Sequence, residues 1–432
     1  MNEPRSVLRT GRVLVIGLVG VIVVLGLGLL IGVAANALSP QGEAQRVDAL
    51  AASTNECVTC HRRTTPGIVE QYGHSTMAAA SVACEDCHEV DEGYPGSVAH
   101  EGTFVLRSPT TAMCQDCHVA EVRQFSQSRH GLPAYVAYAG PEALSQELLA
   151  QYRSIPEAEL GPIAQRSVLY DLEGERITQF ACESCHNIGL PAADGSVGQC
   201  QKCHLRHEFS LEQVRKPETC NHCHIGPDHP QWEIYHESPH GIAYKTSGDD
   251  WNWDAEPGTL TVNDFPAATC AVCHMSAFGS AATTHDVGER LTWYLFAPVS
   301  ERRPAYQDNR TRMQGVCLQC HNENFISDFY AAADEATEQV NEWVRESDEI
   351  MQPLKEQNML TAAPFDQPID FTYYELWHHW GRTAKFGVWM QGPDYTQWHG
   401  AYEVLKALAE LREMSESMLN GQEQQTGVGG NQ

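Results

Sequence analysis

Positive charge is scarce in this chain of 432 residues: 28 Lys+Arg stand against 56 Asp+Glu, a formal net charge of −28. Such a field argues against nucleic acid and anionic lipid surfaces as partners; it suits a basic protein, or a solvated acidic surface kept for solubility. Cysteine outside one pattern is missing altogether, because all 16 Cys fall in C-x-x-C-H pentads and none is left over. Apolar residues reach only 42%, little for a chain long enough to make two or three ordinary domains. Long apolar runs are absent except for one near the N-terminus.

The pentads begin at Cys57, Cys84, Cys114, Cys182, Cys200, Cys220, Cys270 and Cys317. Their second cysteines are Cys60, Cys87, Cys117, Cys185, Cys203, Cys223, Cys273 and Cys320. They close on His61, His88, His118, His186, His204, His224, His274 and His321. C-x-x-C-H is the attachment signature of c-type haem: two thiols add to the vinyl groups and the adjacent His reaches the iron. A disulfide framework gives no reason for a His after every second Cys, and zinc ribbons are indifferent to a His at that offset. Eight c-type haems are therefore expected, their macrocycles supplying much of the core. Haem attached this way implies export from the cytosol.

Residues 13–35 carry no charge, and 23 apolar or small residues can span a bilayer. Arg5, Arg9 and Arg12 precede the run, so residues 1–12 should stay cytoplasmic. This predicts a single-pass anchor in the cytoplasmic membrane with the haem domain on its periplasmic side. A cleaved signal peptide is the alternative, since Ala35-Asn36-Ala37 mimics a small-x-small site, although the run is long for a signal. Residues 36–53 read as a polar tether, 54–321 as the haem domain, 322–418 as a C-terminal helical module and 419–432 as a disordered Gly/Gln-rich tail.

Within the haem domain the first three pentads start 27 and 30 residues apart, with turns such as Gly93-Tyr94-Pro95-Gly96 between them. The insert Val119 to Ala181 lacks Cys and holds Pro133, Pro141, Pro156 and Pro162, which predicts surface loops and short helices. Pentads four to six are crowded at spacings of 18 and 20 residues, so their haems must lie close together. From Asn322 onward Ile326, Phe329, Tyr330, Ala333, Val340, Trp343, Val344, Ile350, Met351 and Leu354 recur at helical spacing on one face. A second helix should carry Phe371, Tyr374, Trp377 and Trp380, and a third, from about Asp394 to Met418, Trp398, Tyr402, Leu405, Leu408 and Leu411. The expected fold is mainly α with little β structure: a transmembrane helix, a multihaem cytochrome c domain and a three-helix module.

Twelve of the 20 His remain once the pentads are counted. Electron-transfer haems take two strong ligands, whereas a substrate-binding haem keeps one side vacant. Candidate distal ligands are His74, His100, His130, His207, His240, His285 and His399, several of them beside Gly, which lets the backbone approach a porphyrin. His222 is an eighth candidate; His236, His378 and His379 read as packing or supporting residues.

The string Cys220-x-x-Cys-His-Ile-Gly-Pro-Asp-His-Pro-Gln-Trp-Glu-Ile-Tyr followed by His240-Gly241 resembles the octahaem hydroxylamine oxidoreductase family. So do Thr269-Cys-Ala-Val-Cys-His-Met275, Thr284-His-Asp286 and Gly392-Pro-Asp-Tyr-Thr-Gln-Trp-His-Gly400, and the match runs from Thr54 to about Leu411. The resemblance implies a catalytic haem on Cys182, Cys185 and His186, with Asp228 and His229 on its distal side and Tyr294 as a pocket tyrosine. It implies a homotrimer and, in oxidising members, a tyrosine cross-linked to that haem; Tyr395 and Tyr402 stand in the corresponding region. The alternative for Asp228-His229 is a Pro-flanked turn with an Asx cap.

Three functions follow. One is oxidation of hydroxylamine or a related small nitrogen compound at one open haem, with seven bis-His haems passing electrons to a soluble or quinone-linked cytochrome. A second is reduction of nitrite or hydroxylamine on the same scaffold; the absence of any C-x-x-C-K pentad argues against the Lys-ligated nitrite reductases. The third is a conduit with no substrate. Denaturing mass spectrometry of the purified protein is expected to show eight covalent haem additions, and a smaller increment would remove pentads from the set.

Overall fold

The computed structural model describes residues 55–155 and 166–427; the apolar run 13–35 and the tether lie outside them. Among the described residues no helix is long and apolar enough to cross a membrane. The chain forms two compact units, one of residues up to 86 with 205–210, the other of 87–204 with 211 onward.

The first unit carries the first pentad on a helix, Glu56–Thr64. Asn55 opens it by accepting from the Val58 N–H at 3.1 Å, and its amide donates to Glu85. The Thr76 hydroxyl donates to the Phe209 carbonyl at 2.7 Å, fastening residues 205–210 to this unit.

The second unit is mainly helical, with one small antiparallel sheet of β1 (Glu89–Val90), β2 (Val98–His100) and β3 (Thr103–Val105) in the order β1-β3-β2. It places Phe104 opposite both Val90 and Ala99. The Cys-free insert is more than surface loops. Its helix α1 (Leu132–Ala139) buries Leu132 and Val136 in a cluster with Leu144, Tyr152 and Val197. Pro133 sits in the first turn of α1, where a missing N–H costs nothing. The fourth pentad forms α2 (Cys182–His186), and α3 (Gln231–Glu237) follows the Gly-Pro-Asp-His-Pro string. The seventh pentad forms α4 (Cys270–His274), backed by a cluster of Trp251, Trp253, Phe265, Val272 and Phe278.

The C-terminal module has the three helical limbs expected. The first is α5 (Glu323–Glu356), opened by Asn322, whose side chain accepts from the Phe325 N–H at 3.0 Å. Apart from the adjacent pair Val340 and Asn341, its buried positions step by three or four residues from Ile326 to Leu354, which keeps one face inward. The second limb is α6 (Pro368–Glu375), a π-helical turn at Leu376–Gly381 and α7 (Arg382–Met390). The third runs from Pro393 through a second π-turn, Gln397–Ala401, into α8 (Tyr402–Gly427), nine residues past the predicted end at Met418. Val404, Leu408 and Leu411 of α8 pack on Val344, Met351, Leu354 and Leu376. Trp398, Tyr402 and Leu405, predicted on the same apolar face, stay 58%, 48% and 49% exposed.

Close approach of the second and third limbs depends on two glycines. An added Cβ would meet the Thr396 nitrogen at 2.6 Å from Gly387 and the Ala384 Cα at 2.7 Å from Gly400. Gly400→Ala should therefore overpack this crossing and cost about 1–3 kcal/mol. Chemical denaturation followed by circular dichroism measures this, and an unchanged midpoint would mean that the limbs have room to spare.

Candidate active site

The sixth pentad ends at His224, and the chain then turns sharply. Gly226 adopts φ +71°, a conformation that favours glycine, and its N–H donates to Glu233 at 3.2 Å. The Gln231 N–H reaches back to the His229 carbonyl at 2.8 Å, and the Trp232 N–H to the His224 carbonyl at 3.1 Å, before α3 begins. The turn therefore projects Asp228 and His229 away from its own backbone bonds.

The second limb of the C-terminal module closes on that turn. Tyr374, His378 and Arg382 are spaced four residues apart, which puts them on one helical face. Arg382, almost fully buried, donates to Asp228 Oδ1 at 2.5 Å and to the Phe296 carbonyl at 2.8 Å. His378 Nδ1 stands 3.0 Å from the same Asp228 oxygen, without hydrogen-bond alignment, so that contact is electrostatic. His229 Nδ1 is 3.7 Å from the other carboxylate oxygen and has no hydrogen-bond partner. The Tyr374 ring stacks on His378 at 4.2 Å, and Phe296 packs edge-on against His229 at 5.8 Å. Lys385, one turn after Arg382, donates to Ser300 at 2.7 Å and to the Ala297 and Pro298 carbonyls, pinning the segment that carries Phe296.

Asp228 keeps 34% of its side-chain surface accessible although protein surrounds it closely, so it is half-buried with one open side. Burial raises its pKa, but the His378 contact and the charges of His229 and Arg382 outweigh it and hold the carboxyl well below the usual carboxylate range. Burial pushes His229 and His378 down to about 4, which leaves both imidazoles neutral near pH 7. Burial, then the Arg382 charge, lowers Lys385 to about 7. A carboxylate held ionised this firmly is a poor proton acceptor. It orients charge, while the neutral imidazoles beside it can take protons.

This cluster lies near the fourth and sixth pentads. His186 and His224 are both within electrostatic reach of His229, and Cys182, Glu173 and Asp228 within reach of Tyr374. The Ala134 carbonyl is 2.9 Å from His186 Nδ1, leaving the other ring nitrogen for an iron.

The pentads also fit haem. An iron held by two imidazole nitrogens at roughly 2 Å each separates the ring centroids by about 6.3 Å. His130 faces His224 at 6.1 Å, His285 faces His204 at 6.3 Å and His240 faces His321 at 6.1 Å. Each pair joins a pentad histidine to a candidate distal ligand. Burial lowers the pKa of all three distal rings, favouring the neutral form that binds metal. His229 also approaches His224, at 5.9 Å. Among the described residues, no histidine ring faces His118, His186 or His274 in this way. Most of the 16 cysteines are partly covered, and Cys57, Cys117 and Cys320 are exposed.

Other predicted residues are more dispersed. Tyr294 is buried with its ring between the guanidiniums of Arg129 and Arg303, at 4.9 and 4.8 Å. Tyr395 stacks on His399, whose Nδ1 is 2.8 Å from Asp394 and whose side chain is 54% exposed. Tyr402 packs on Trp398. His74 and His100 are exposed and His207 is half-buried. His222 offers its carbonyl to the Cys185 thiol at 3.8 Å. Sequence reasoning missed Tyr374 and Arg382 and gave His378 only a supporting role. Their four-residue spacing on a helix was the available signal.

Paired histidines around C-x-x-C-H helices on a mainly helical frame define a multihaem c-type cytochrome. A family model described as "Seven times multi-haem cytochrome CxxCH" matches residues 80–368, and the chain belongs to that family. Seven of its pentads fall inside the match; the one at Cys57–His61 precedes it. A "Probable nitrite reductase-hydroxylamine oxidoreductase fusion protein" of Kuenenia stuttgartiensis is 24% identical over 373 residues. That alignment covers 73% of this chain and 39% of the relative, so the chain spans about two fifths of the curated relative's length. Among solved structures, a "Hypothetical multiheme protein" is similar at a TM-score of 0.73 and 22% identity, covering 87% of this chain and 99% of that one. A reducing HAO-like protein complex of Kuenenia stuttgartiensis follows at 0.63 and 19%, covering 89% and 88%.

The Arg382–Asp228 pair links the module to the turn, so Arg382→Gln should destabilise the protein by about 1–2 kcal/mol at pH 7, a figure discounted for the open side of Asp228. Because the folded carboxyl titrates below its unfolded value of about 3.9, the pair's contribution is present above that pH and fades as pH falls through the folded pKa. Denaturation midpoints of parent and variant should converge below about pH 4. A gap that stays constant to pH 2 would show that the carboxylate's charge is not what Arg382 holds.

Proposed function

We propose that this chain is a multihaem oxidoreductase that oxidises hydroxylamine, or a related small nitrogen compound, at the haem borne by Cys182, Cys185 and His186. The observation that carries the reading is the Asp228–His229 turn, clamped by Arg382 and His378 beside the fourth pentad. Bound haem would supply an iron with a vacant side able to take electrons from a ligated nitrogen. The chain's own residues then manage protons. His229, with an unpartnered Nδ1, is placed to accept one, and ionised Asp228 3.7 Å away favours the imidazolium that results. Arg382 and His378 hold that carboxylate in place, while Phe296 and Trp377 flank the guanidinium and limit water. Tyr374 can donate or accept beside the same carboxylate.

The remaining parts of the proposal follow from the same resemblance. Eight haems are attached, seven of them bis-His, and electrons leave to a soluble or quinone-linked cytochrome. Residues 13–35 tether the protein to the cytoplasmic membrane, with the haems on the periplasmic side. Three copies assemble through the C-terminal helices, where Trp398, Tyr402 and Leu405 form an exposed apolar stripe.

Reduction of nitrite or hydroxylamine is the second reading. It is favoured by Arg382, a cation suited to an oxyanion, and by the words "nitrite reductase" and "reducing" in the names of two similar proteins.

The test combines the haem peptide containing Cys182 to His186 with one variant. A tyrosine-linked haem in its mass and reduced spectrum supports oxidation; an ordinary high-spin c-haem supports reduction; eight low-spin haems would leave only a conduit. Asp228→Asn should preserve haem content and slow turnover about 10²–10⁴-fold. Unchanged turnover with hydroxylamine and with nitrite would remove Asp228 from the mechanism.

A further inference from the structure

Arg290 is 2% exposed and lies against the seventh pentad. Its terminal nitrogens donate to four backbone carbonyls: Val272 at 3.3 Å and Cys273 at 2.8 Å in α4, then Ser276 at 2.8 Å and Ala282 at 2.6 Å just beyond it. Among the described residues no carboxylate is within ion-pair distance of it. Glu289, its neighbour in sequence, is turned to Arg312 at 3.4 Å. Arg382, also buried, differs in being paired with Asp228. The Glu289 carboxylate acts on it only at a distance, and the Cys273 thiol, the next group in reach, cannot ionise once it is a thioether. With its terminal donors committed to carbonyls, the guanidinium cannot turn them toward a haem propionate.

A fixed cation without an ion-pair partner in a low-dielectric site favours whichever neighbouring state carries less positive charge. At a haem iron that state is the reduced one, so the charge raises the reduction potential. We propose that Arg290 is a potential-tuning residue that makes the haem on Cys270, Cys273 and His274 an electron-collecting station. Its place in the fold suits this role. The sulfurs of Cys185 and Cys223 neighbour one another, as do those of Cys220 and Cys270, so the fourth, sixth and seventh attachments follow in space. Electrons exchanged at the fourth site meet a sink two steps away. The inference rests on haem attachment at the seventh pentad and not on the identity or direction of the substrate reaction.

The test is a potentiometric titration of the fully haem-loaded protein, followed in the visible α band. Arg290→Gln removes the charge, and one one-electron component should move down. At fixed potential its reduced-to-oxidised ratio should fall about tenfold, which is about 59 mV, with the other components unmoved. Arg290→Lys keeps the charge and should leave that component near its parent position. Ala282→Glu, at an exposed site beside the intact guanidinium, adds a carboxylate and should move the same component down. It decides the matter if the Gln variant does not assemble. The proposal is overturned if no component moves in the loaded charge-altering variants, or if the Lys variant falls as far as the Gln variant, which would make Arg290 a structural clamp alone.

Discussion

The helices that carry the pentads cannot stand by themselves, and that constraint governs the rest of the molecule. Those at Cys84–His88 and Cys182–His186 are five residues long and bury none of their own side chains. A helix that short does not offset the cost of its nucleation in water. What holds it is a covalent partner on one side and packed protein on the other. The protein side is thin: three separate apolar clusters, each at the back of a haem-bearing region or within the C-terminal module. The low apolar fraction of the sequence is the same fact seen in composition, because covalently attached macrocycles take the place of side chains that a conventional core would need.

The C-terminal module supplies what the pentads lack, a rigid reference. Its three limbs share a continuous core, and two glycines let the second and third limbs approach closely. Both π-turns fall in this module and both contain histidines, His378 and His379 in one, His399 in the other. A π-turn displaces the helical register by about one residue. Beyond the first of them, Arg382 and Thr383 reach the Pro227-Asp228 turn. Glu237 of α3 answers from the other side by accepting from the Asp394 and Tyr395 N–H groups. Turn and module are tied together twice, so the position of Asp228 and His229 is set by elements more than a hundred residues away in sequence.

The pentads were legible because the chemistry of thioether attachment fixes two cysteines and a histidine at set places in five consecutive residues, and no packing can change that. The three limbs were legible because helix burial repeats every three to four residues. Tyr294 illustrates the opposite case. A tyrosine can be recognised in a sequence, but what its ring faces depends on Arg129 and Arg303, one of them 165 positions earlier. Trp398, Tyr402 and Leu405 illustrate another: periodicity gives a face, and only the placement of α5 and the second limb decides which part of it is covered.

The sequence by itself determined the attachment chemistry, the helical character and the Asp228-His229 string, since each is written in neighbouring residues or in a short repeat. Tertiary structure alone decided which histidines face one another, that Arg382 and His378 close on Asp228, and that Arg290 is buried without an ion-pair partner. Those properties depend on distances between segments far apart in the chain. Coulomb energy and hydrogen bonding are set by such distances, and residue order does not record them.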